Sequence, residues 1–270
     1  MIWNQFKLNL YIIKVKKKIN IRELLDKYLN DVADDLKVRW NLWVQNLGES
    51  EQYEVIGGLM ARQISITKEF ANNPNLWNPN IAPILMRSLI DNYINFTWIL
   101  LEPEKRSQQF IFFGLGQEKL QLEHRKKMQE ISYTEENGMM IKAMEDWINS
   151  QQYEFLTVVN IGSWSEKSVR EMALETNEME LYNFCYQPFS SAAHNMWNHI
   201  SNFNLFYSEN PLHKFTKVPV VHEYEMDIFW MELAIKYTHK LFVKFDEKFP
   251  LKIDRAYASD LYYEELTKTC

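Results

Sequence analysis

Residues 20–48 read NIRELLDKYLNDVADDLKVRWNLWVQNLG, and this stretch decides the fold class. Ile21, Leu24, Leu25, Tyr28, Leu29, Val32, Leu36, Trp40, Trp43 and Leu47 recur at helical spacing, so they gather on one side of a long amphipathic helix. Asn20 followed by Glu23 makes a capping-box-like start, and Gly48 supplies the stop. Alternation of the strand kind is absent from it. The segment is a helix that needs other helices to cover its apolar side.

Working outward, the same period returns. Val55, Ile56, Leu59, Met60 and Ile64 mark a second helix from about Glu51 to Phe70, stopped by Asn72-Asn73-Pro74. Pro83 suits the first turn of a third helix reaching Leu101. Glu102-Pro103 separates it from a fourth, Glu104 to Glu130, in which Gly114 and Gly116 offer a kink. A fifth spans Thr134 to Leu156, a loop covers Asn160 to Trp164, and a short sixth covers Ser165 to Glu175. A long seventh runs from Met179 towards Tyr207 with Pro188 inside it. After a loop at Pro211 to Pro219, an eighth fills Val221 to Lys248, and the tail holds a turn or two around Ser259 to Leu266. Before all of these, Phe6, Leu8, Leu10 and Ile12 alternate with Lys7, Asn9 and Tyr11, as in a short strand or extended arm. The reading is an all-α protein: a basic arm over 1–20, a single helical bundle of seven to nine helices over 21–250, and a tail over 251–270.

Composition removes several classes of function. Only 7 glycines and 8 prolines occur in 270 residues, with no GxxxxGK[ST], and Gly114-Leu115-Gly116 lacks the third glycine of GxGxxG. P-loop and Rossmann phosphate cradles are excluded. The first 22 residues carry Lys7, Lys14, Lys16, Lys17, Lys18 and Arg22 without one acid, which leaves the remainder with 24 basic against 36 acidic residues. So acidic a body argues against a constitutive, non-specific nucleic-acid binder and offers no DNA specificity, yet leaves room for a small basic site that cuts RNA. Cys185 and Cys270 make neither a metal spacing nor a disulfide framework, which fits a reducing cytoplasm. Neither Leu8 to Ile13 nor Tyr93 to Leu101 is long enough for a signal core or a bilayer span.

One constellation carries chemistry. Arg87 and Asp91 stand four apart on the third helix, so both project from one side, where the acid can fix the guanidinium. On the seventh, Tyr182, Tyr186, Ser190, His194 and Asn198 follow at steps of four, a row that drifts slowly around an ideal helix. Pro188 deletes the amide bond to Phe184 and bends the helix beside Ser190. Polar side chains on such apolar helices need partners, so the two helices are expected to pack with Arg87 and Asp91 facing the row. A satisfied buried hydrogen-bond network and a functional site both fit this pattern.

The segment LMRSLIDNYIN, residues 85–95, resembles the R-S-L-[FI]-[ED]-x-x-[IV]-x motif of an uncharacterised bacterial family, domain of unknown function 5677. LYNFCYQPFSSAAH, residues 181–194, resembles that family's Y-x-x-x-Y-x-x-x-S-x-x-x-H row, and the match runs from about Val55 to Phe206. Asp91 stands where the family usually has Glu, a shorter arm towards Arg87. Such proteins are similar in architecture to the HEPN group of helical RNases and nucleotide-binding toxins of toxin–antitoxin and phage-defence systems. That group sets an Arg and a His on one helix with four to six residues between them; here those places hold Phe189, Pro188 and Gln187. The resemblance therefore implies that Arg87 supplies the cation from another helix and His194 the base, with Asp91 completing the catalytic set. Tyr182, Tyr186, Ser190 and Asn198 then bind substrate, an RNA.

Metal chemistry finds no support in the spacing. The Glu-x-x-His pair of ferritin-like bundles is missing, and His222-Glu223 with Glu225 reads as a capped helix start. The expectation is no metal and no cofactor. The run His124-Arg125-Lys126-Lys127 fits a solvated helix end or a contact to RNA phosphate. Trp40, Trp43 and Trp230 supply aromatic faces for a homodimer or a complex with an operon partner. Two functions stay open: a cytoplasmic HEPN-like effector acting as a metal-independent RNase or nucleotide-handling toxin, and a non-catalytic interaction or sensor subunit that binds a partner protein.

Overall fold

The computed structural model describes residues 20–44, 51–150 and 164–268. The arm expected over 1–20 lies outside these residues except for Asn20, as does the loop expected before Trp164. Ten helices carry the described chain. They are α1 (Ile21–Trp43), α2 (Glu51–Asn72), α3 (Ala82–Ile99), α4 (Pro103–Ile131), α5 (Glu135–Asn149) and α6 (Val169–Glu175). Next comes α7, which starts as Met179–Leu181, widens into a π turn over Tyr182–Tyr186 and closes as Gln187–Ala193. α8 (Trp197–Phe203), α9 (Phe229–Lys248) and α10 (Ala258–Lys268) complete the set. Between α8 and α9, β1 (Leu205–Tyr207) pairs antiparallel with β2 (Lys217–Pro219), with Phe206 opposite Val218. The protein is all-α apart from that hairpin.

Local signals explain most boundaries. The Asn20 side chain accepts the Glu23 amide at 3.4 Å and caps α1, and Ser168 and Glu171 form a reciprocal capping box on α6. The helix expected to run from Met179 towards Tyr207 is instead divided. Asn195 takes a positive φ of 52°, a conformation that asparagine tolerates better than most residues. The Met196 amide then bonds Ser191 O at 2.9 Å and the Asn195 amide Ala192 O at 3.3 Å, the two bonds of a Schellman stop. Extended backbone at Met196 starts α8, and β1 takes over at Leu205. The helix expected from Val221 begins only at Phe229, where the Asp227 carboxylate accepts the Phe229 amide at 3.0 Å; His222, Glu223 and Glu225 precede it and cap nothing.

The described chain forms two compact units. One comprises residues 20–44, 60–93 and 183–268, the other 51–59, 94–150 and 164–182. In the first, Leu25, Tyr28 and Val32 of α1, Met86, Leu89 and Ile90 of α3, and Ile235, Leu241, Phe242 and Phe245 of α9 are buried. Each such side chain contributes about 1.5–3 kcal/mol on leaving water. Polar pairs fix which helices meet. Arg39 donates to both Asp246 oxygens at 2.9 and 2.6 Å, the Thr67 and Thr238 hydroxyls bond at 2.9 Å, and Asn92 donates to Gln63 at 2.8 Å. The half-buried tryptophans expected to serve assembly also make contacts within this unit. Trp43 packs edge-on against Phe245, Trp40 lies against Trp43, and Trp230 lies against Phe189.

In the second unit, the Arg106 guanidinium lies 3.7 Å from the centre of the Trp98 ring and donates to Glu102 at 2.6 Å. Trp98 in turn donates its indole N–H to Glu175 at 2.7 Å. α4 and α5 form a hairpin closed by Asn137, whose amide donates to Gln129 at 2.8 Å. α4 runs as one helix through Gly114 and Gly116.

Candidate functional site

Pro83 opens α3 near its first turn, and the apolar Met86, Leu89 and Ile90 press that helix into the core of the first unit. The opposite consequence of the same winding is that Arg87 and Asp91 stand at the margin, the Arg side chain 14% and the Asp side chain 38% exposed. They form the ion pair that their spacing predicts, through Arg87 NH1 and an Asp91 oxygen.

From α7, Tyr186 and Ser190 reach the same guanidinium. Arg87 Nε–H donates to Ser190 Oγ at 2.8 Å, and NH2 donates to the Tyr186 hydroxyl. Its central carbon sits 3.4 Å from the centre of the Tyr186 ring. Ser190 donates its own proton to the Tyr186 carbonyl one turn back, at 2.7 Å, so its lone pairs are left facing Arg87. The guanidinium is thus stacked on one face and held along its edges by a carboxylate, an alcohol and a phenol. Pro188 sits where the π turn returns to α-helix, at a junction that lacks a regular amide ladder.

The expected row is only partly brought together. Tyr186 and Ser190 meet Arg87, while Tyr182 begins the π turn and falls in the other unit. His194 caps the end of α7, exposed, and among the described residues its imidazole has no hydrogen-bond partner. Asn198 lies beyond the Schellman stop on α8, where its amide donates to Ser191 Oγ at 2.9 Å. Neither His194 nor Asn198 bonds Arg87 among the described residues. For Asn198 the left-handed turn at Asn195 is the cause, since it redirects the chain after His194, whereas His194 stays one turn beyond Ser190 with its amide bonded to Ser190 O at 2.9 Å.

Sequence reasoning passed over Cys185, whose Sγ lies 2.9 Å from the Tyr237 hydroxyl and ties α7 to α9 across 52 positions. A lone cysteine and a lone tyrosine that far apart give no local signal. The basic run on α4 is largely engaged with its own chain: Lys126 pairs with Glu145 at 3.0 Å and Arg125 donates to Asn137 at 3.3 Å. Among the described residues no three His, Cys, Asp or Glu side chains gather to hold a metal ion. No described helix is long and apolar enough to cross a membrane.

Fold and site together define an all-α protein whose polar centre is an arginine clamped between two helices. Over residues 53–210, more than half of the chain and including every residue of that clamp, the sequence matches the family described as Family of unknown function (DUF5677). The chain belongs to this family. No curated protein and no solved structure matches it.

Proposed function

We propose that the chain is a HEPN-like effector of a bacterial toxin or phage-defence system, acting in the cytoplasm as a metal-independent ribonuclease or nucleotide-handling toxin. One observation carries this reading. A guanidinium oriented by Asp91, Tyr186 and Ser190 stands beside a helix that ends, one turn past Ser190, in an exposed imidazole that has no hydrogen-bond partner among the described residues. Those are the two groups that cleavage of RNA by its own 2′-hydroxyl requires. His194 takes the 2′-hydroxyl proton as the 2′-oxygen bonds to phosphorus. Arg87 stabilises the charge on the five-coordinate phosphate once Asp91, the more exposed member of the pair, gives way to it. The bond to the 5′-oxygen breaks, and the leaving oxygen collects the proton from the imidazolium. The test is digestion of total RNA in the presence of a chelator, wild type against His194→Ala. An inert wild-type protein overturns the ribonuclease reading.

A second reading, a non-catalytic subunit that binds a partner protein, draws on a different observation. Three sides of the Arg87 guanidinium are already engaged within the chain, as in a network that specifies packing. In that case Arg87→Ala costs stability and no activity disappears beyond the unfolded fraction.

A further inference from the structure

Most of the described tryptophans are engaged within the fold. Trp77 donates its indole N–H to the Phe70 carbonyl at 2.9 Å, Trp98 donates to Glu175, and Trp164 packs edge-on against Trp98. Trp197 differs. It stands at the start of α8, 69% exposed, and among the described residues its ring packs on no other ring and its N–H meets no acceptor. Its position gives that exposure a meaning. The Met196 amide bonds Ser191 O and the Asn198 side-chain amide donates to Ser191 Oγ, both at 2.9 Å, so the first turn of α8 is fastened to the last turn of α7. The neighbouring Ser190 accepts Arg87 through its hydroxyl at 2.8 Å and the His194 amide through its carbonyl at 2.9 Å. Two adjacent serines therefore hold the cation, the backbone of the imidazole and the bare indole in one frame. All of them lie in the first unit, and His194 to Asn198 are exposed without a break.

Charge narrows what can lie there. From Asn183 to Ser208 the sequence holds no Asp, Glu, Lys or Arg, although charged residues make up 24% of the chain. Its polar groups are amides, hydroxyls and the imidazoles of His194 and His199. Such a surface offers a phosphate backbone little beyond Arg87, but it suits bases, whose edges pair with amides and whose faces stack on a bare ring. Asn198, having given its N–H to Ser191, keeps its carbonyl oxygen for the exocyclic amine of a base. A base inside a duplex is stacked on its neighbours and paired along its edge, so an indole beside the strand finds no face to cover. An unpaired base has both faces free.

We infer that Trp197 is the platform on which an unpaired base of the substrate strand stacks beside His194, which restricts the site to single-stranded RNA. The inference takes its ligand from the ribonuclease reading, so binding and cleavage are measured apart. The binding probe is a labelled single strand of about ten nucleotides, fully 2′-O-methylated so that no 2′-hydroxyl can attack, followed by fluorescence anisotropy on the full chain. Trp197→Ala should weaken binding roughly 5- to 150-fold with its thermal midpoint unchanged, and Trp197→Phe should recover most of the loss. Abasic residues placed one at a time along the strand should find a position that matters to wild type and not to Trp197→Ala. On unmodified RNA, kcat/KM of Trp197→Ala should fall by the same factor as binding. Strand binding that is absent from wild type, or unchanged in Trp197→Ala, overturns the inference, and the second result leaves the indole to a partner protein. Equal binding of the same sequence as a duplex overturns it as well. A wild type that binds the strand through Trp197 yet cleaves no RNA overturns the ribonuclease reading alone, whereas undiminished cleavage by Trp197→Ala overturns the platform alone.

Discussion

The Arg87 guanidinium donates its Nε–H to Ser190 Oγ at 2.8 Å, joining two positions 103 residues apart. This bond sets the rotation of α3 against α7, because Ser190 has already spent its own proton on the Tyr186 carbonyl and can only accept. Ser190→Ala therefore leaves the Nε–H without its partner at the margin of the core. The expected cost is about 1–3 kcal/mol, read as a lower midpoint in chemical or thermal unfolding. Ser190→Thr, which keeps the hydroxyl, should recover most of it. Equal destabilisation by both variants would mean that the bond does not hold the helices.

His194 makes the contrary case. Exposed and without a hydrogen-bond partner among the described residues, it contributes little to stability. His194→Ala is expected to leave the unfolding free energy within about 0.5 kcal/mol of wild type. If the imidazole is the base of the proposed reaction, RNA cleavage by the same purified protein falls by about 10²–10⁴-fold. Loss of activity in proportion to a lowered melting midpoint would instead assign His194 to the architecture.

Asp91 tests whether the clamp is a phosphate site. Asp91→Asn removes the charge that competes with an incoming anion while keeping the shape of the side chain. Inorganic phosphate, followed by calorimetry, should then bind severalfold more tightly, and the dependence on salt should steepen. A network that serves packing alone gives another outcome: lower stability and no gain in phosphate affinity.

Glu232 predicts a pH dependence unrelated to the site. It is 5% exposed on α9, and burial, with a smaller push from the Asp227 carboxylate, raises its pKa from 4.5 to about 7. Because the folded form holds the proton more tightly than the unfolded chain does, its contribution is fully present below pH 4.5 and is lost as pH rises through 7. The whole effect is at most about 3 kcal/mol. Thermal midpoints measured from pH 5 to pH 8 should fall for wild type relative to Glu232→Gln, which has no proton to lose. Parallel curves for the two proteins would refute this.

The helical class of the protein was legible in the sequence because helix formation is governed by short-range regularities. The spacing of Ile21, Leu25, Tyr28 and Val32, the Asn20 cap and the position of Pro83 each act within a turn or two, so α1 and α3 begin close to where the residues say. The Arg87–Asp91 pair was legible for the same reason, being four residues apart on one helix. The end of α7 was not. Apolar spacing runs on through Ile200, Phe203 and Leu205, and asparagine permits a left-handed turn without requiring one, so nothing local distinguishes Asn195 as a stop. Packing in the first unit made that choice, and with it separated Asn198 from the row that spacing alone would continue. The clamp itself also belongs to the tertiary structure. Sequence supplied a cation on one helix and hydroxyls on another, but only the way α3 and α7 press together brings Ser190 and the Tyr186 ring onto Arg87 and leaves Asp91 nearest the water, since side-chain burial depends on neighbours that lie a hundred residues away.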